Sequence, residues 1–304
     1  MRHAHVLRFF WAAWLLAVAQ PALAGPREVT LYFTVEKDGT LIGGLTEDNF
    51  RLYEDGEPRK FRLETPETPA AIALLVEYSQ ASWLYMEDIY RAMEGFMHQA
   101  PEGHWYALAT FSKDLEIRVD FTKQRGRIAN AFADLPRPFW NEINTYDAVY
   151  EMLERMGQLR GRRILIVIGS GLDTFSSMRL EDVRRKAEAV NVVVYAVGVG
   201  SLLRTVYEPY LSQPARMDLL QAEAFFQMLA QKTGGQAWFP RFEAAFRDVM
   251  RGVMQSIAFH YKLVYESNLP EDGKFHRIRL EAFRFEGDRK TTFTVRVREG
   301  WRTG

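Results

Sequence analysis

The sequence predicts an α/β protein built on a doubly wound, mostly parallel sheet, flanked by a small β-sandwich of strands from both ends of the chain. Unbroken apolar runs at 71–76, 164–168 and 192–199 are typical of strands buried on both faces. Segments of helical period separate these runs, as a parallel sheet requires. Alternating apolar and polar residues near both ends indicate antiparallel strands.

The first 24 residues have the pattern of a secretory signal peptide. A basic start precedes an apolar stretch at 9–19 that is short for a membrane span, and Ala22-Leu23-Ala24 forms a small-x-small cleavage pattern. We expect cleavage near Ala24-Gly25 and export of the mature chain to the periplasm or out of the cell. An uncleaved anchor is the alternative.

Composition excludes several classes of site. The chain has no cysteine, so disulfides, thiolate zinc sites and cysteine nucleophiles are absent. Lys+Arg and Asp+Glu number 39 each, which gives no overall charge that would favour nucleic acid or an anionic membrane. A hydrophobic content of 47% permits a full core and a second, smaller domain.

Residues 25–67 form the predicted N-terminal β segment. A strand at 29–37 leads into an Asp38-Gly39 turn, and a second alternating stretch surrounds Asp55-Gly56. Asp-Gly readily adopts the positive φ angles that tight hairpins need. A proline-containing stretch, 65–70, then separates this segment from the first buried strand.

Residues 68–258 form the predicted α/β domain, in which strands and helices alternate. The expected strands lie at 71–77, 105–112, 115–122, 162–170, 191–200 and 236–239, and the expected helices at 84–100, 125–135, 146–156, 179–189, up to 229, and 242–257.

Residues 259–304 form the predicted C-terminal β segment. Strands at 260–267, 274–283 and 291–299 are separated by turns at Asp272-Gly273 and Gly287. Neither end segment has enough strands to cover its own edges, so we expect 259–304 to pair with 25–67.

Several motifs together resemble the von Willebrand factor type A (VWA) domain, which has a Rossmann-like fold. At the end of the first buried strand, Glu77-Tyr78-Ser79-Gln80-Ala81 stands where that family has Asp-x-Ser-x-Ser. The flanking segments, among them Gly44-Leu45-Thr46 and the residues that follow, are similar to those of exported bacterial VWFA-related proteins. The resemblance covers nearly all of the mature chain.

The resemblance implies a metal-ion-dependent adhesion site, but the implied ligand positions are altered. Ser79 is kept, Glu77 replaces an aspartate, and Ala81, Ile143 and Ser170 replace three further ligands. Because Mg²⁺ requires a near-octahedral shell of oxygens, we expect a degenerate site and no cofactor.

The alternative is a weak Mg or Ca site in a rearranged loop. Its candidate ligands are Glu77, Ser79, Thr145 and Asp173, with Ser82 as a further hydroxyl.

Catalytic patterns are scarce, so we expect no enzymatic activity. Ser170 ends a strand, as a hydrolase nucleophile does, but its surroundings lack the first glycine of G-x-S-x-G and no histidine is near in sequence. A serine hydrolase using Ser170 remains the alternative of another class.

Binding is therefore the expected function, with another protein as the partner. Loops at the carboxyl ends of parallel strands gather on one side of the sheet. The candidate binding residues there are Glu77, Ser79, Trp83, Phe139, Trp140, Ser170, Asp173 and Phe175. Exposed aromatic side chains of this kind are favoured at protein interfaces.

Overall fold

The computed structural model describes residues 27–80, 82–83, 86–200, 208–241 and 245–303. The predicted signal peptide, 1–24, lies outside these described residues. No helix within the described part of the chain is long and apolar enough to cross a membrane.

The described residues form two sheets and six α-helices. The strands are β1 (Arg27–Lys37), β2 (Thr40–Leu41), β3 (Phe50–Glu54), β4 (Glu57–Arg59), β5 (Phe61–Glu64), β6 (Ala71–Glu77), β7 (Trp105–Phe111), β8 (Leu115–Thr122), β9 (Arg163–Gly169), β10 (Val193–Gly198), β11 (Ala237–Trp238), β12 (Tyr261–Ser267), β13 (Phe275–Glu286), β14 (Arg289–Val297) and β15 (Gly300–Arg302). The helices are α1 (Met86–Gln99), α2 (Arg125–Ala133), α3 (Thr145–Gly157), α4 (Leu180–Ala189), α5 (Gln213–Thr233) and α6 (Ala245–Ala258).

The central sheet has six strands in the order β11-β10-β9-β6-β7-β8. All neighbouring pairs are parallel except β7 and β8, which are antiparallel. β6 lies in the interior of this sheet, between β7 and β9. The predicted mostly parallel sheet is confirmed.

Helices cover both faces of the central sheet. Alternate side chains of each strand point to opposite faces, so each strand packs against helices on both sides. On β6, Ile72, Leu74 and Val76 pack in the cluster that contains residues of α1, α2 and α6. Ala73 and Leu75 pack in the cluster that contains residues of α3, α4 and α5. The sheet is therefore doubly wound, as its apolar runs predict.

The second sheet is antiparallel and combines strands from both end segments. Its order is β4-β3-β13-β14-β1-β12-β5, with β15 beside β13 and β2 beside β1. β4 and β5 lie at opposite ends of this order but are separated by a single residue in the chain. The sheet must therefore curl so that its two ends come close together. Phe33 on β1 and Phe50 on β3 meet inside it, with ring centres 5.4 Å apart.

This arrangement corrects two details of the expectation from sequence. The sandwich takes the form of one curled, hydrogen-bonded sheet, and the ends contribute five and four strands rather than three each. The strands β2, β4, β5 and β15 are only two to four residues long. Strands this short carry no readable alternation of apolar and polar residues.

Buried polar contacts join the two sheets. Glu188 on α4 is fully buried and binds Arg302 of β15, with Arg302 Nη2 3.0 Å from Glu188 Oε2. Arg298 donates a 2.5 Å hydrogen bond to the carbonyl oxygen of Glu188. Asn191 also donates to the carbonyl of Thr30 on β1. The end of the described chain is thus anchored to a helix of the parallel sheet.

Candidate functional site

Glu77 ends β6 beside the end of β9, and its carboxylate connects the two strands. Glu77 Oε2 accepts hydrogen bonds from the backbone N–H and the Oγ of Ser170, both at 2.6 Å. Glu77 Oε1 accepts one from Ser79 Oγ at 2.7 Å. Glu77 and Ser79 are fully buried, and Ser170 is 2% exposed. The carboxylate therefore lies inside the protein and is satisfied by neutral donors.

Ser82 closes the same group of hydroxyls. Its Oγ accepts from the N–H of Ser79 at 3.0 Å, and the Ser79 Oγ accepts from the N–H of Ser82 at 3.2 Å. The Ser170 Oγ accepts from the N–H of Leu172 at 3.2 Å. Each hydroxyl of this polar cluster, which we define as Glu77, Ser79, Ser82 and Ser170, is thus both donor and acceptor within the protein.

Burial raises the pKa of the Glu77 carboxyl, because the charged form loses its hydration. The hydrogen bonds from Ser170 and Ser79 act in the opposite direction and lower it. Among the described residues, no charged nitrogen is within ion-pair distance of Glu77. Neutral hydrogen-bond donors alone compensate this carboxyl for burial.

Two glycines leave room for the polar cluster. A Cβ atom on Gly169 would lie 2.8 Å from the Glu77 Cβ and 2.9 Å from its Oε2. A Cβ on Gly200 would lie 2.8 Å from the carbonyl oxygen of Ser170. Contacts this short do not occur between unstrained atoms, so both positions require glycine while Glu77 and Ser170 stay in place.

The remaining candidate metal ligands do not point towards Glu77. Thr145 Oγ1 donates to the carbonyl oxygen of Leu172. Asp173 Oδ1 accepts from the N–H of Tyr146 at 2.9 Å and from Ser176 Oγ at 2.6 Å. Both side chains hold the loop after β9 against the start of α3.

The polar cluster does not fit a divalent cation. It contains one carboxylate, whose oxygens already accept three hydrogen bonds, and Ile143 offers no oxygen at its position. Ala81 lies outside the described residues. Within the described ranges, no three acidic or histidine side chains are grouped so that they could hold a metal. Mg²⁺ binds oxygens in near-octahedral geometry, and the side-chain oxygens of this cluster are engaged with one another instead.

Four of the predicted binding residues form an exposed surface. We call Trp83, Phe139, Trp140 and Phe175 the aromatic face; their exposed fractions are 39%, 77%, 49% and 75%. The rings of Phe139 and Trp140 meet edge to face, with centres 5.4 Å apart. Tyr78, in contrast, is buried.

Polar contacts that the sequence does not reveal hold the aromatic face in place. Gln80 donates its backbone N–H to the carbonyl of Trp140 at 3.0 Å and its side-chain N–H to that of Phe139 at 2.9 Å. Asn144 accepts from the N–H of Phe175 at 3.2 Å and donates to the carbonyl of Lys113 at 2.8 Å. Hydrogen bonds therefore tie both loops of the face to the ends of the sheet strands.

Two cations lie over rings of the aromatic face. Lys113 Nζ is 5.3 Å from the centre of the Trp140 ring, and the Arg137 guanidinium is 5.8 Å from that of Trp83. A cleft of about 150 Å³ lies beside these rings, bounded by Tyr78, Arg118 and the loop from Pro136 to Trp140. Asp114 and Glu116 also line this cleft, so the surface combines apolar area with charges of both signs.

Asp147 is a further structural residue that sequence reasoning missed. Its carboxylate accepts from the N–H groups of Ser177 and Met178, at 2.9 and 2.7 Å, and fixes the loop that carries Phe175. A carboxylate in the first turn of a helix, here α3, was the available signal.

The structure divides the predicted binding residues into two layers. Trp83, Phe139, Trp140 and Phe175 are exposed and available to a partner. The residues Glu77, Ser79 and Ser170, predicted to share that surface, are instead buried beneath it, and Asp173 is partly buried. Glu77 therefore does not present its carboxyl group at this surface.

No family model and no curated protein sequence matches this chain. Among solved structures, a von Willebrand factor type A protein from Catenulispora acidiphila is 10% identical, with a TM-score of 0.49 over 91% of this chain and 74% of that chain. An aerotolerance-related membrane protein from Bacteroides fragilis is 12% identical, with a TM-score of 0.48 over 62% of this chain and 98% of that chain.

A variant of the PilB minor pilin from Streptococcus sanguinis is also similar in structure. It is 8% identical, with a TM-score of 0.49 over 64% of this chain and 62% of that chain. Likeness at this level says nothing about what this chain binds.

Proposed function

We propose that this chain is an exported, non-enzymatic module that binds another protein through the aromatic face, without a metal ion. The observation that carries the proposal is the pairing of four exposed aromatic side chains with a closed polar cluster directly beneath them. Exposed aromatic groups held on rigid loops are the usual anchors of protein interfaces.

Preorganisation of the loops supports this role. Pro136 and Pro138 restrict the backbone of one loop, while Gln80 fixes the two carbonyls of Phe139 and Trp140. A surface that is ordered before binding loses less conformational entropy in the complex. The border of the face carries both signs of charge, with Arg137 and Lys113 beside Asp114 and Glu116, which suits a partner segment with apolar and mixed polar side chains.

The surroundings of Ser170 support a non-enzymatic role. Its hydroxyl is 2% exposed and is bound to the Glu77 carboxylate, so a substrate carbonyl has no approach to it. The buried histidines His104 and His260 lie near the amino-terminal end of the parallel sheet, away from the end that carries Ser170. An activated serine needs an adjacent base and an accessible face.

Export rests on the pattern at 1–24. The exported chain would meet its partner in the periplasm or outside the cell, where the absence of cysteine leaves it no thiol that could form a disulfide.

The test is a binding experiment with the mature chain as bait. Partners captured by the parent protein would be compared with those captured by the double variant Trp83→Ala, Trp140→Ala. Trp105→Ala is the matched control, since Trp105 is 40% exposed, lies under Lys123 and stands at the opposite end of the sheet. We expect capture to be lost only in the double variant and to be unaffected by chelator.

Two results would contradict the proposal. Equal capture by parent and double variant would place the interface elsewhere, most plausibly on the antiparallel sheet. Capture that chelator abolishes and Mg or Ca restores would favour an adhesion site with a residual metal.

A further inference from the structure

Arg162 is a buried cation that has no partner on its side chain. It precedes β9 at the amino-terminal edge of the parallel sheet, at the end opposite the aromatic face. The residue is 6% exposed, and its Nε is buried without a hydrogen-bond partner. Within the described residues, its guanidinium neither donates a hydrogen bond nor pairs with a carboxylate.

Three tyrosines and two histidines lie near enough for the charge of Arg162 to act on their pKa values. Burial raises the pKa values of Tyr32, Tyr106 and Tyr195, and the positive charge of Arg162 opposes that rise in each case. Burial and then the same charge lower the pKa of His104, and that of His260 to about 3. Both imidazoles are therefore neutral at neutral pH and give Arg162 no counter-charge.

The hydroxyls of the three tyrosines already have partners. Tyr106 Oη donates to the carbonyl of Pro101 at 2.9 Å. Tyr32 Oη donates to Glu67 Oε2 at 2.5 Å. Tyr195 Oη lies 2.6 Å from His260 Nε2, and the other ring nitrogen of His260 is itself buried without a partner.

The acidic group whose charge acts on Arg162 is Glu67, and it is bound elsewhere. Its Oε2 accepts from Tyr32, and its Oε1 lies 2.5 Å from Lys262 Nζ. Lys262 also pairs with Glu64 at 2.8 Å. No carboxylate of the described chain is thus in contact with Arg162, although a buried charge is strongly unfavourable without a counter-charge.

We infer that the Arg162 guanidinium binds a small monovalent anion, either chloride or a single carboxylate group. Five N–H donors in one plane suit such a ligand. The neighbouring negative charge of Glu67 disfavours a multiply charged ion.

The test measures melting temperature against anion type. The purified protein is heated at constant ionic strength while chloride, or acetate as the carboxylate probe, replaces the bulky sulfonate isethionate from 10 to 300 mM. Because a ligand that binds only the native state stabilises it, we expect a rise of about 4 °C. If the melting temperature rises in acetate as well as in chloride, the site accepts a carboxylate group. If it rises in chloride alone, the site accepts only a halide.

Arg162→Met should abolish the anion-dependent rise in melting temperature, and Arg163→Met should retain it. Arg163 is the matched control because it is the adjacent, partly buried arginine, and its guanidinium donates to the carbonyls of Gly157 and Leu159. A direct readout is the line width of the chloride-35 resonance, which the parent protein should broaden and acetate should narrow by competition.

Two outcomes would overturn the inference. The first is a parent melting temperature that is the same in chloride, acetate and isethionate. The second is a rise, or a chloride line width, that Arg162→Met leaves unchanged. If Arg162→Met does not fold, competition between acetate and chloride on the parent protein decides the question, since absence of both broadening and competition excludes the site.

Discussion

Ser170 presents its backbone N–H and its hydroxyl to the same oxygen of Glu77, each at 2.6 Å. The Glu77 side chain, one methylene longer than that of an aspartate, reaches from the end of β6 to the end of β9. It occupies the space between the loops that follow these two strands. An intramolecular carboxylate thereby connects the segments that follow β6 and β9.

The first prediction concerns pH. Burial raises the folded-state pKa of Glu77 above the ordinary value of 4.5, so the folded protein binds this proton more tightly than the unfolded chain. Stability therefore falls as pH rises from about 4.5 towards the folded-state pKa, and stays constant above it. Glu77→Gln removes this ionisation and should therefore remove its contribution to the dependence of stability on pH.

The measurement is the difference in melting temperature between parent and Glu77→Gln at several pH values from 4.5 to 7.5. Other titrating groups cancel in this difference. The variant also loses one acceptor for Ser170, which lowers its stability at every pH, so only the trend is informative. A difference that does not change with pH would mean that Glu77 ionises normally.

The second prediction concerns Gly169. Alanine there would place its Cβ 2.8 Å from the Glu77 Cβ, so Gly169→Ala should destabilise the protein by about 1–3 kcal/mol. The matched control is Gly95→Ala in α1, where nothing lies within 4 Å of the added methyl group and helix propensity favours alanine. Denaturant unfolding measures both; equal effects would show that the space beside Glu77 is not restricted.

The sequence predicts the strand β6 and its polar end, because an apolar run and its break are local features. It does not predict that Glu77 turns inward to Ser170, since that contact depends on the pairing of β6 with β9, 93 residues apart. Gln80 and Asn144 were missed for the same reason. Their partners are backbone atoms of distant loops, and backbone atoms leave no sequence signal.

The exposure of the aromatic face could be predicted in part. Trp83, Phe139, Trp140 and Phe175 follow strand ends or lie in loops, where side chains reach solvent. Tyr78 lies in the same region but is buried, because its hydroxyl donates to the carbonyl of Pro136 across the loop. A residue pattern does not distinguish these two cases.

The third prediction is indifference to divalent cations. Because the oxygens of the polar cluster are engaged with one another, millimolar Mg, Ca or Mn should leave the melting temperature of the parent protein unchanged. Thermal melts with each ion and with chelator provide the measurement. A rise with one ion that disappears in Glu77→Ala would show that the cluster opens to bind it.

The last prediction concerns the contact between the two sheets. Glu188 is fully buried and lies 2.6 Å from Arg184, 3.0 Å from Arg302 and 3.7 Å from Lys232. Removing this carboxylate takes the buried counter-charge from three cations, of which Arg184 and Lys232 keep only the more exposed Glu181 and Glu299. Glu188→Ala should therefore cost about 3–5 kcal/mol.

Glu181→Ala is the control for that variant. Glu181 also binds Arg184, at 2.6 Å, but it lies on the surface of α4 with its side chain 47% exposed. Exposed ion pairs contribute little to stability, so this variant should be close to the parent in denaturant unfolding. If Glu188→Ala were equally mild, the end of the chain would not depend on α4 for its anchoring. Limited proteolysis would separate the two cases, because loss of the Arg302 contact should expose the last strand to cleavage before the rest of the protein unfolds.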